Sequence, residues 1–193
     1  MKPTPIAVGI AALFLLAAAA EPPAIGKPAP AFSGVDETGA KHTLADYKGK
    51  AVVLEWTNPD CPFVARHYQA DTMEKLAAAL GAKEVVWLAV NSTWSNTADD
   101  TKAWKAEQGF SYATLQDSDG SIGRAYGAKT TPHMFVIDAQ GILRYRGAID
   151  DDQRGSAETP RNYVDSAVQA LFAGASPDPS DTQSYGCSVK YKQ

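Results

Sequence analysis

The chain has very little cysteine: two residues in 193, Cys61 and Cys187. Two cysteines cannot build a multi-bridge disulfide scaffold, so each needs its own explanation. Histidine is scarce as well, with three residues whose spacing matches no standard metal motif. No phosphate-cradling glycine loop and no dinucleotide fingerprint is present, so no cofactor is indicated. Lys and Arg form no dense run, and acidic residues outnumber basic ones 22 to 18, for a formal charge of −4. That balance speaks against a nucleic-acid partner. Asp150-Asp151-Asp152 lacks the alternating oxygen ligands of a calcium loop and reads as a solvated turn. What remains is an ordinary globular composition, 45% hydrophobic and 21% charged, in a length that suits one domain of roughly 100–200 residues. The four tryptophans, Trp56, Trp87, Trp94 and Trp104, read as core and surface packing.

The first twenty residues stand apart. Lys2 precedes an uncharged stretch whose apolar core occupies positions 6–20, and Ala18 and Ala20 make the small-x-small pattern of a cleavage site before Glu21. This core is shorter than the roughly 20 residues a spanning helix needs. Residues 1–20 are therefore expected to be an export signal, with an uncleaved membrane anchor as the alternative. No cysteine follows to carry a lipid. The mature chain is expected in the periplasm or outside the cell, where a disulfide persists. The expected division is signal 1–20, body 21–172 and tail 173–193.

In the body, a proline-rich arm (21–30) leads into a short hairpin around 36–39 and then the apolar run Val52–Trp56, a buried strand. Pro62 suits the first turn of a helix, and one helix is expected from there to Gly81. Val85–Asn91 is a second buried strand, 98–108 a helix, Phe110–Leu115 a short strand and 119–126 a short helix. His133–Asp138 and Ile142–Ile149 flank a tight turn at Gly141 and are expected to pair antiparallel. Thr159 and Pro160 are expected to open a last helix that stops at Gly174. The order predicts an α/β fold, a mixed central β-sheet flanked by helices. The tail after Gly174 lacks apolar periodicity and reads as an arm on the body.

Cys61 falls between a strand and a helix. Free backbone N–H groups and the helix dipole favour an anion there, and the thiolate is the reactive form of cysteine. A reactive thiol is expected, against the plainer reading of a small buried cap. Cys187 lies in YGCSVKY. The segment from Gly174 to Cys187 reaches at most roughly 45 Å, enough to cross the face that carries Cys61. A redox partner of Cys61, a structural staple and a link between two chains all remain open for it. A Cys61–Cys187 disulfide formed during turnover is expected.

The segments IGKPAPAF, GVDETG and LADYKGKAVVLEW, together with TTPHMFVIDAQGILRYRGAID, resemble the redoxin-type, thioredoxin-fold proteins of the AhpC/TSA, peroxiredoxin-like kind over roughly residues 25–172. The resemblance implies a thioredoxin-like fold, a reactive Cys61 at the start of the first long helix, and a cis-proline at Pro132 packed beside it. It implies that Glu55 stands where the family keeps a buried acid, a candidate proton acceptor. It also places His133 near Cys61. The departures are specific. Val64 stands where a disulfide reductase has its second cysteine. Asn58 and Leu54 stand where a peroxidase has Thr or Ser and Pro, and neither Arg124 nor Arg144 is positioned by the sequence to serve as its arginine.

The site expected is thus Cys61, Glu55, Pro132 and Cys187, in an exported, antioxidant-type oxidoreductase that acts on protein disulfides, small thiols or peroxides. The alternative is a non-enzymatic binding protein with a thioredoxin-like body. Its partner would be a protein or a zinc or copper ion, the ion held by Cys61, Cys187, His67 and His133.

Overall fold

The computed structural model describes residues 22–193. The expected export signal lies outside the described residues. A hairpin comes first, β1 (Ser33–Val35) against β2 (Lys41–Thr43), antiparallel. It is followed by β3 (Val52–Trp56), α1 (Pro62–Gln69), α2 (Thr72–Gly81), β4 (Val86–Asn91) and α3 (Ala98–Gln108). The second half holds β5 (Thr114–Gln116), α4 (Ser121–Tyr126), β6 (Thr130–Thr131), β7 (His133–Ile137), β8 (Leu143–Gly147), α5 (Tyr163–Phe172) and β9 (Cys187–Ser188).

Five strands form the central sheet in the order β5-β4-β3-β7-β8. β3 runs parallel to β4 and antiparallel to β7, so the sheet is mixed. Every residue of β3 is buried, as a central strand covered on both faces requires. Its side chains alternate. Val53 joins one core with Val64, Tyr68, Met73, Met134 and Val168. Val52, Leu54 and Trp56 join the other, with Tyr126, Phe135 and Ile137. Helices α1, α2, α3 and α5 contribute to the first core and α4 to the second. Burying each large apolar side chain contributes roughly 1.5–3 kcal/mol.

Three local expectations differ from the structure. The single helix expected after Pro62 is two, because Asp71 takes a left-handed conformation, φ 53°. The cause lies in the pattern: Val64 and Tyr68 share a face, but the next turn of that face brings polar Asp71 and Thr72. The break rotates α2 so that Met73, Ala77 and Leu80 are its buried residues. The last helix begins at Tyr163, not Pro160. Arg161 donates its backbone N–H to Asp151 Oδ1 at 2.9 Å, and Tyr163 donates to the Ile149 carbonyl at 2.9 Å. These tethers hold 161–162 against the end of β8, and Asn162 becomes the cap, its side chain accepting from Asp165 N–H at 2.9 Å. The short strand expected from Phe110 starts at Thr114, because Phe110 packs against Trp104, Tyr68 and Tyr112.

The tail is ordered along its length. Thr182 pairs with β8, donating its N–H to the Arg146 carbonyl at 3.1 Å. β9 then pairs antiparallel with β6, Thr131 opposite Cys187. Beyond it, Val189 N–H donates to the Lys129 carbonyl and the Lys190 carbonyl accepts from Trp94 N–H, both at 3.1 Å. Tyr191 closes the run, donating to the Ala128 carbonyl at 2.9 Å beneath the Arg124 guanidinium.

Candidate active site

Cys61 sits at the N-cap of α1 with Pro62 as the first helical residue. Asn58 shapes the approach: its carbonyl accepts from Cys61 N–H at 3.0 Å and its side-chain oxygen from Asp60 N–H at 2.9 Å. The Thr131–Pro132 peptide is cis. Thr131 presents its carbonyl to the sulfur, and Cys61 Sγ donates to it at 2.9 Å. The Thr131 hydroxyl is buried with no hydrogen-bond partner.

On the outer side lies Cys187. Gly186 makes this approach possible: its φ is 127°, and a Cβ there would come within 2.0 Å of the Thr131 carbonyl oxygen. The two sulfurs lie close enough for each to shift the acidity of the other. Burial opposes a Cys61 thiolate, but the neighbouring Cys187 thiol and the Val64 N–H turned to the sulfur outweigh it, and the thiol is held below its ordinary value. The Val64 contact falls short of capping geometry, yet it directs a free helix N–H at the sulfur. Cys187 moves the other way. Burial and then the Cys61 sulfur push it up to about 11. The pair is therefore asymmetric: the inner thiol is the more acidic of the two.

Glu55 is fully buried on β3. Trp87 Nε1 donates to it at 2.9 Å and Tyr68 OH at 3.0 Å, with Tyr112 OH at 3.4 Å. Among the described residues none of its hydrogen bonds reaches either sulfur. Burial pushes its carboxyl up to about 7, against the opposing effect of these donors.

The structure does not bring His133 to the sulfurs. β7 alternates, so Met134 and Val136 join the core that includes Cys61, while His133 packs at a tilt against Phe135 in the opposite one, ring centroids 4.5 Å apart. Burial lowers it to about 4. Among the described residues no group of three or more His, Cys, Asp or Glu is arranged to hold a metal. Arg124 is engaged with the tail through the Lys192 carbonyl at 2.8 Å, and Arg144 pairs with Asp138 at 2.6 Å.

Sequence reasoning missed the clamp on the tail. Tyr185 OH donates to Asp150 Oδ1 at 2.5 Å, lies 2.9 Å from His67 Nε2 and accepts from Arg66 at 3.2 Å. Asp150 is thus buried, not solvated as its acidic run suggested, because the returning tail covers it. No local pattern links these four residues. The only signal was an aromatic residue two positions before Cys187.

The geometry bears comparison with known proteins. Residues 25–146 match the model of the AhpC/TSA family. The chain is 34% identical over 131 residues to the thiol:disulfide interchange protein DsbE of Pseudomonas fluorescens biotype C, covering 66% of this chain and 69% of that one. It is 31% identical over 156 residues to a thioredoxin peroxidase of Fasciola hepatica, covering 73% and 79%. A crystal structure of a hypothetical protein from Sinorhizobium meliloti 1021 superposes with a TM-score of 0.79 at 27% identity, covering 88% of this chain and 95% of the other. The architecture is thioredoxin-like.

Proposed function

We propose, from the premise that this chain belongs to the AhpC/TSA family, that Cys61 and Cys187 are the redox pair of a thiol:disulfide oxidoreductase. The chain is a thiol oxidoreductase of the redoxin type. The observation that carries the pairing is the contact of the two sulfurs across the β6–β9 ladder, with the inner thiol acidified. In the oxidising direction a substrate disulfide takes two electrons from the pair, two substrate thiols leave, and a Cys61–Cys187 bond forms. The tail thus supplies the second cysteine that Val64 replaces on α1.

Pro132 shapes the loop that offers the Thr131 carbonyl to Cys61. Glu55 is assigned a positioning role: it fixes Tyr68, and with it α1, while its carboxyl near 7 makes it the titrating acid of that sheet face. Substrates are protein disulfides or small thiols. Disulfide exchange is favoured over peroxide reduction because Arg124 and Arg144 are engaged away from Cys61 and the sulfur is covered by the tail. Export through residues 1–20 is part of the proposal and rests on the apolar run ending at Ala20. Among the described residues no helix is long and apolar enough to cross a membrane.

A disulfide-reductase assay and a peroxide-consumption assay on the chain beginning at Glu21 test the reading. Disulfide turnover that Cys61→Ser abolishes and Cys187→Ser lowers at least about tenfold is expected. Turnover unaffected by Cys187→Ser would reject the pair. Peroxide consumption with no disulfide turnover would move the chain to the peroxidase side of its family.

A further inference from the structure

We infer that an external thiol reduces the disulfide form of this protein by attacking Cys187 Sγ, so that the tail cysteine and not the helix-start cysteine meets the partner. The inference deepens the proposed function and rests on its Cys61–Cys187 bond.

Access points this way. Cys61 is 0% exposed, whereas Cys187 is partly open to solvent. Cys61 lies beneath Thr131 of β6, the first turn of α1 and the Gly186-Cys187 segment. A reagent aimed at Cys61 must first lift that segment, and the segment is tied down on both sides. Before it, Tyr185 is held by Asp150, His67 and Arg66. After it, Val189 is held by the Lys129 carbonyl and Lys190 by Trp94. Cys187 is itself partly exposed, so a reagent aimed at it needs no such opening.

The leaving group points the same way. A thiolate attacking a disulfide is fastest when the sulfur it expels is the more acidic one. Attack on Cys187 expels Cys61, which leaves as a thiolate already facing the Val64 N–H and the unpartnered Thr131 hydroxyl. Attack on Cys61 expels Cys187, whose burial keeps it a poor thiolate despite the nearby Lys190.

The step balances. The incoming thiolate forms a bond to Cys187 Sγ, the Cys61–Cys187 bond breaks, and its electron pair stays on Cys61. A second thiolate of the same kind then attacks the incoming sulfur and releases the partner as a disulfide. Cys187 leaves with an electron pair and takes up one proton. Two thiols are oxidised and one protein disulfide is reduced.

The test uses glutathione as the thiol. The oxidised, otherwise unaltered protein is first mapped without reductant, then mixed with equimolar glutathione, quenched in acid, alkylated and mapped again. A Cys61–Cys187 bond at the start, followed by glutathione on the Cys187 peptide at least about tenfold more than on the Cys61 peptide, is expected. A starting disulfide with most glutathione on Cys61 overturns this inference and leaves the proposed function standing. A starting protein with both thiols free overturns both.

Discussion

Replacing Glu55 by Gln should stabilise the protein, and only at high pH. Glu55 is completely buried, and its carboxyl is raised from 4.5 to about 7. A raised carboxyl means the folded state holds a proton that the unfolded state has lost between those values. Stability therefore falls as pH rises through that window and levels off above about 7. Each pH unit of difference is worth about 1.4 kcal/mol, so the charge costs roughly 3 kcal/mol at pH 8 and under about 1 kcal/mol at pH 5. Gln removes the charge and leaves no donor stranded. Its oxygen accepts from Trp87 Nε1, while its NH₂ donates to Tyr68 OH. That hydroxyl then donates to Tyr112 OH, which already lies 2.8 Å away. Urea denaturation of the reduced protein at pH 5 and pH 8, wild type against Glu55→Gln, reads the effect. The variant should gain about 2–3 kcal/mol more at pH 8 than at pH 5. An equal difference at the two pH values would refute the assignment of a buried, titrating carboxylate, and a larger loss at pH 8 would show that the carboxylate's hydrogen bonds outweigh its desolvation.

Gly186→Ala should block closure of the sulfur pair, since the added methyl meets the Thr131 carbonyl; thiol quantitation after oxidation should find Cys61 and Cys187 both free. Tyr185→Phe removes the hydroxyl shared by Asp150, His67 and Arg66 and should cost roughly 1–3 kcal/mol. Faster alkylation of Cys61 in the reduced variant should accompany it, read by mass spectrometry of the labelled peptide. Asp71→Gly relieves a left-handed aspartate between α1 and α2 and should raise the melting temperature slightly, for a gain of at most about 1 kcal/mol. Unchanged or lower melting would show that its exposed ion pair with Lys75, 3.1 Å long, matters more than the backbone conformation.

The body of this protein is legible in one dimension because its signals are local. β3 and β4 are short apolar runs, α3 carries a Thr97–Asp100 capping box and ends at Gly109, and β7 and β8 flank a tight turn. Cys61 could be placed at a helix start because Pro62 suits the first helical position. The errors came where a distant contact overrides a local preference. Asp71 breaks a helix that propensity would continue, because the next polar turn would otherwise face the core. Asn162 caps α5 in place of Thr159, because Asp151 and Ile149 hold the preceding residues extended.

The site itself divides along the same line. Residue identity and position supplied a cysteine poised for thiolate chemistry and a second one within reach of it. Only the fold decided that Cys187 lies opposite Thr131, that Glu55 bonds to Tyr68 and Trp87, away from the sulfur, and that His133 faces the other core. Burial, the direction of a side chain on a strand and the landing point of a tail depend on residues far apart in the chain. The tail has no apolar period to announce where it docks. Its place is set one hydrogen bond at a time, by Thr182 on Arg146, Tyr185 on Asp150 and Val189 on Lys129, and those bonds put the outer sulfur against the inner one.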